Sequence, residues 1–398
     1  MNILLFDHPE IRPSLLPLTY TRPVADIRLG ILTIAEKWEK AFNASVGFST
    51  QSYLQPKFPV EVSEDMLYIN GALCPDEQLV EVISGLSIGE GIQQNGITLA
   101  FRYHQQQSLE AIAQAAGSCI EYQFPITLIR YNWELFLENG DQIRADFQRL
   151  TKGRTSQPLT DQHTVVYNPE NLFIEEDVSI KAAIINAEGG PVYLGAGAEV
   201  QEGTIIQGPF AMCAHSQLRL GGKMRPNTTV GPYCKVGGEV GNVIFQSHSN
   251  KAHEGFLGNS VIGSWCNLGA DTNNSNLKNN YSNVRCWNYH QQTFVDTGLQ
   301  FCGVTMGDHS KCAINTMLNT GTVVGVSANI YGPGFPDKFV PSFIWGGTGI
   351  TKEYDFEKVC QTISKVMGRK AYDFNGTEKD ILRTVFDLTF AYRQSIIT

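Results

Sequence analysis

Every sixth residue from Leu194 is apolar: Leu194, Val200, Ile206, Met212, Leu218, Met224, Val230 and Val236. Glycine directly follows Leu194, Val230 and Val236, and the fourth residue after each apolar position is mostly small. The register breaks over 241–255, resumes at Phe256, Ile262 and Leu268, breaks again, and returns at Met306, Cys312, Leu318, Val324 and Ile330. Ile174 and Ile180 form a fainter start. A period of six is neither the 3.6 of a helix nor the alternation of a strand. It fits short strands separated by tight turns and wound into a solenoid. Each rung places one apolar side chain inward and stacks on the next at about 4.8 Å. Corners favour residues that tolerate left-handed backbone angles, so DTNNSNLKNN (271–280) is predicted to be an extended corner loop.

The flanks have other periods. Before the repeat, apolar runs in MNILLFD, LYIN (67–70) and ITLAF (97–101) read as strands, and SLEAIAQAA (108–116) and residues 133–152 have helical spacing. Strands alternating with helices predict an α/β layer domain with a mainly parallel sheet. After the repeat, 356–367 and 378–395 are helical, with Thr377 as N-cap of the second. The predicted organisation is an α/β domain over 1–155, a polar connector over 156–172, a solenoid over 173–350 and C-terminal helices over 351–398.

Composition narrows the function classes. The 398-residue chain carries a net charge of −9 with no block of lysines or arginines. That argues against nucleic acid or an acidic membrane surface as partner and leaves small anions open. Nine scattered cysteines without a CxxC pair suit reduced thiols in a cytoplasmic protein. No stretch reaches the length of a membrane span.

The hexads resemble those of the hexapeptide acyltransferases, and that resemblance implies a left-handed parallel β-helix. Within that class, Lys251-Ala252-His253, Leu257-Gly258, Ile262-Gly263 and Asn267-Leu268-Gly269-Ala270, followed by an Asn-rich loop, resemble one family. It is the bifunctional glucosamine-1-phosphate N-acetyltransferase / N-acetylglucosamine-1-phosphate uridylyltransferase family. RPVADIRLGILTIAEKW (22–38) is similar to the first, sugar nucleotidyltransferase-like domain of a divergent bacterial branch of it. The resemblance implies acetyl-CoA-dependent N-acetylation of an amino sugar phosphate, uridylyl transfer from UTP as a partner activity, and a homotrimer with acetyl-CoA sites between subunits. It implies His253 as catalytic base, Asn267 and Asn276 as acceptor-site residues, Arg225 as a sugar-phosphate ligand and Lys251 as a second cation near the phosphate. Phe256 stands where the family often carries an aromatic hydroxyl.

Read from the residues, His253 has three roles open to it. A neutral imidazole, with an ordinary pKa of about 6.5, suits removal of a proton from an attacking amine. His248 and His253 in H-x4-H spacing, with His215 further back, also resemble the zinc ligands of β-helical carbonic anhydrases. The third role is a hydrogen-bonding residue on a corner. A non-catalytic sugar-nucleotide-binding protein is the further alternative for the whole chain.

Sugar nucleotidyltransferases usually follow strand one with a glycine-rich phosphate loop, and this chain has no glycine before Gly30. It offers Arg12, Arg22, Arg28 and Lys37, which could bind phosphate or pair with nearby acids. Asp7 and Asp26 are candidates to hold Mg2+ against phosphates.

Overall fold

The computed structural model describes residues 2–60, 63–104, 107–108, 111–112, 119–349 and 351–395. The N-terminal domain is built on a six-stranded sheet in the order Val46–Ser49, Asn2–Phe6, Met66–Asn70, Ile97–Tyr103, Gly91–Gln94 and Ile120–Glu121. Asn2–Phe6 pairs in parallel with both neighbours, as its unbroken apolar run predicts. The sheet is nevertheless mixed, because Ile97–Tyr103 runs antiparallel to both of its neighbours. The cause is legible in GIQQNGITLAF. Asn95 and Gly96 both have positive φ, and an Asn-Gly turn of that kind joins antiparallel strands. The predicted helix over 133–152 is Asn132–Thr151. Most of the predicted helix over 108–116 lies outside the described residues.

The repeat forms a parallel β-solenoid with three faces. One face carries nine parallel strands among the described residues, from Ser179–Ile180 to Ile344–Gly347. All eight residues of the hexad series Leu194 to Val236 are at most 1% exposed. The solenoid takes up its first strand at Val165–Tyr167, which pairs with Ile184–Asn186 inside the stretch predicted as connector.

The break in the hexad register has a geometric cause. One turn consumes 18 residues between Leu218 and Val236 but 15 between Val236 and Lys251. Glu239–Phe245 runs as one strand across a corner, pairing at one end with Lys223–Met224 and at the other with Thr229–Val230. Phe256–Ile262 follows it in register. The inward residue is therefore Leu257, 1% exposed, and Phe256 faces outward. At the second break the chain leaves the solenoid near Asn274 and returns at Val304, and the hairpin Arg285–Asn288/Thr293–Asp296 lies in between. Tyr289 on that excursion packs edge-on against Tyr20 of the first domain and Tyr392 of the last helix, so it ties three regions together.

The C-terminal helices are Phe356–Gly368, Gly376–Leu388 and Phe390–Gln394. The predicted helix over 378–395 breaks at Thr389, and its N-cap is Asn375 rather than Thr377. Asn375 Oδ1 accepts from the Glu378 N–H at 3.0 Å, which satisfies a first-turn donor two residues earlier than expected. The N-terminal domain docks through Asn132–Thr151, with Ile31, Ile143, Phe147, Phe173, Tyr193, Ala211 and Cys213 in one buried cluster. Gly30 sits under this helix at φ +78, where a Cβ would lie 2.6 Å from an Asp146 carboxylate oxygen.

Candidate functional site

The N-terminal cations are spent on structure. Lys37 and Asp146 form an ion pair at 2.5 Å with both side chains fully buried. Asp146 also accepts from the N–H groups of Ile31 and Leu32 and so fixes the loop around Gly30. Arg12 donates to the Thr19 carbonyl and Tyr53, and it pairs with Asp7. Arg28 donates to the Ile31 carbonyl and pairs with Glu36. Arg22 reaches out of its own domain to Asp308 of the solenoid at 2.5 Å and donates to Ser264 at 2.9 Å. The predicted phosphate grip by Arg12, Arg22, Arg28 and Lys37 is therefore not assembled. Each of them has a carboxylate partner, and none is more than 9% exposed.

The Mg2+ expectation meets the same obstacle. Asp7 accepts from Val24 N–H on one oxygen and from Thr50 on the other, beside Arg12. Burial pushes its carboxyl above the usual range, against the pull of Arg12. Asp26 faces Arg22 at 3.9 Å. Among the described residues no three His, Cys, Asp or Glu side chains are grouped to hold a metal. Asp7 and Asp26 thus do not fit a Mg2+ site.

In the solenoid, the predicted acetyl-transfer residues fall on four places. His253 is exposed on the turn between Asn250–Lys251 and Phe256–Ile262. Arg225 and Asn276 come together in a groove of about 250 Å3 that Asn242, Phe256, Asn259 and Phe301 complete. Arg225 pairs there with Glu239 at 3.2 Å, and Asn276 donates to Asn259 at 2.8 Å. Asn267 lies on another face, bonded to Asn250 at 2.8 Å. Lys251 is the correction. It occupies an inward position between Val236 and the Leu268 turn and is 1% exposed, so it cannot touch a phosphate outside. Its Nζ donates to the carbonyl of His253 at 3.0 Å and to that of Gly237 at 3.4 Å. Burial lowers its pKa to about 8. A lysine inside an apolar coil is costly, and here it fastens from within the turn that carries His253.

The site that pattern reading missed is a column of rings. His215, Tyr233, His248 and Trp265 occupy one solenoid corner in successive turns, each with φ between 55 and 61. Left-handed backbone costs bulky residues roughly 1–2 kcal/mol each. The rings stack, with centroid separations of 5.0, 4.9 and 4.1 Å along the column. Tyr372, from the C-terminal region, meets His248 and Trp265 edge-on at 4.8 and 5.4 Å. Beside the column a cavity of about 560 Å3 opens between the solenoid and the first C-terminal helix, and Asn267 lines it. Burial and Lys370 lower the pKa of His248 to about 4, so it is neutral. Each ring stands three residues before an inward residue (Leu218, Val236, Lys251, Leu268), a spacing present in the sequence. His215 and His248 are separated by the Tyr233 ring, and His253 stands at a different corner. The zinc reading has no ligand set within the described chain.

Comparison with known proteins sharpens the first domain. Residues 3–155 match the family described as sugar nucleotidyl transferase. That segment is therefore similar to sugar nucleotidyl transferases. Over 187 residues, 46% of this chain, the protein is 24% identical to a putative uncharacterized acetyltransferase of Escherichia coli, YaiX, of which 77% is covered. It is 29% identical over 160 residues to a bifunctional sugar-1-phosphate nucleotidylyltransferase/acetyltransferase of Sulfurisphaera tokodaii, covering 40% of this chain and 37% of that protein. A UDP-N-acetylglucosamine acyltransferase of Francisella novicida aligns over 58% of this chain and 75% of its own, with 12% identity and a TM-score of 0.30. With a segment that matches the sugar nucleotidyl transferase family and relatives that are themselves named transferases, the chain is a transferase. No helix of the described residues is long and apolar enough to cross a membrane.

Proposed function

We propose that the chain transfers an acetyl group from acetyl-CoA to the amino group of an amino sugar phosphate, with His253 as the base. The observation that carries this reading is the turn at His253. Its ring is exposed and has no side-chain partner among the described residues, while its carbonyl is anchored from inside by Lys251. A base must be free at its ring and fixed at its backbone, and this turn supplies both. The amine nitrogen attacks the thioester carbonyl, His253 takes the proton the nitrogen loses, and the carbon–sulfur bond breaks. The proton then passes to the departing CoA thiolate. The groove of Arg225 and Asn276 supports binding of the sugar phosphate, since an exposed arginine paired at only one guanidinium nitrogen keeps donors free to grip phosphate. Outward Val165, Ile184 and Ile205 form an exposed apolar ladder, which supports assembly as a homotrimer with acetyl-CoA between subunits. Uridylyl transfer from UTP has no step in this reading, because Asp7 and Asp26 do not fit Mg2+. A thiol-release assay with acetyl-CoA and a panel of amino sugar phosphates tests it. Release with at least one member supports it, and release with none refutes it.

Lys251 separates activity from stability. Its folded pKa of about 8 lies below the ordinary 10.5, so between those values the unfolded chain binds more protons. Stability therefore rises with pH across that window, and the buried charge is a burden below it. Lys251→Met is expected to leave the melting temperature at pH 7 unchanged or higher, while the acetyl-transfer kcat falls about tenfold as His253 loses its anchor. Thermal melts at pH 7 and 9 beside steady-state kinetics check both halves.

A further inference from the structure

The cavity beside the ring column has a charge pattern that acetyl transfer at His253 does not use. Lys235, Lys311, Arg369 and Lys370 line it, and no aspartate or glutamate does. None of the four forms an ion pair among the described residues. Burial disfavours the ammonium of Lys235, and Lys370, Arg219 and Arg369 disfavour it further, with Glu199 only partly offsetting them. Cations crowded together without acids lower their mutual repulsion by taking an anion. Tyr233, His248 and Trp265 line the same space. Both ring nitrogens of His248 are buried without a hydrogen-bond partner, and buried polar atoms of that kind call for one. Asn250 and Asn267 add amides at the floor. Cys266 also lines the cavity, but burial pushes its thiol up to about 12, so it is no nucleophile.

We propose that this cavity binds a nucleoside carrying two or more phosphates, the base against the Trp265–His248–Tyr233 column and the phosphates among Lys235, Lys311, Arg369 and Lys370. A volume of about 560 Å3 is in the range of small-molecule sites. The faces of the stacked rings lie against one another, so a base meets the column at its ring edges, whose positive end of the quadrupole suits the carbonyl oxygens and ring nitrogens of a base. Arg369 and Lys370 follow the first C-terminal helix, so the ligand bridges that helix to the solenoid. The site is separate from the turn of His253.

Isothermal titration of the full chain with ADP, UDP, inorganic pyrophosphate and adenosine tests the proposal. ADP or UDP is expected to bind at least tenfold more tightly than pyrophosphate or adenosine, and more weakly as salt rises. Lys235→Met/Lys370→Met is expected to weaken nucleotide binding at least tenfold. His253→Ala is expected to bind as the wild type does, so failure of the acetyl-transfer reading leaves this result intact. Coenzyme A and a UDP-sugar, titrated in parallel, distinguish the two sources of the same chemistry. Absence of nucleotide binding, or binding that the double lysine variant retains, overturns the proposal.

Discussion

Replacing Asp308 by alanine is expected to destabilise the protein by about 3–5 kcal/mol, because it leaves Arg22 buried and unpaired. Arg22 is 9% exposed and Asp308 4%. Asp308 also accepts from the Ser264 N–H and the Thr21 hydroxyl, so one carboxylate joins the first domain to the solenoid. Burial opposes its ionisation, but Arg22 and these donors prevail and hold its pKa below the usual carboxylate value. A carboxyl depressed in the folded state binds fewer protons there than in the unfolded chain. Its stabilisation is therefore full above about pH 4 and is lost as pH falls through the folded value. The gap between wild type and Asp308→Ala is expected to close in acid. Urea melts of Arg22→Met, Asp308→Leu and the double variant check the assignment. The double variant should lose less than the two single losses added together; additive losses would show that the pair does not couple.

Much of the architecture is written in residue pattern. The inward series Leu194 to Val236 identifies the solenoid because a core position tolerates only apolar side chains. Where the pattern misleads, the missing fact is a partner far away in the chain. Lys37 and Arg22 look like free cations beside a strand, but their acids lie 109 and 286 residues on. Phe256 looks inward because a shortened corner is visible only when the neighbouring turn is laid beside it. Lys251 looks like a ligand because polar residues are expected outside; only its pairing with Val236 shows that it points inward. The ring column was readable in principle, since its residues keep step with the inward series, but rings at left-handed corners run against the preference for Asn and Gly there.

His253→Ala is expected to give the largest loss of activity. Removing a positioned general base typically lowers a rate by about 10²–10⁴-fold. The turn is held by Lys251 through a backbone carbonyl, so the substitution removes the imidazole without removing the anchor. Stability should change little, since the ring is exposed. The loss should fall on kcat rather than on KM, because a base acts on the transition state and not on binding. The most direct test is the rate of thiol release from acetyl-CoA, with the best amino sugar phosphate acceptor, for wild type beside His253→Ala. The account predicts a fall of about a hundredfold or more in kcat with KM nearly unchanged; an undiminished kcat in the variant would contradict it.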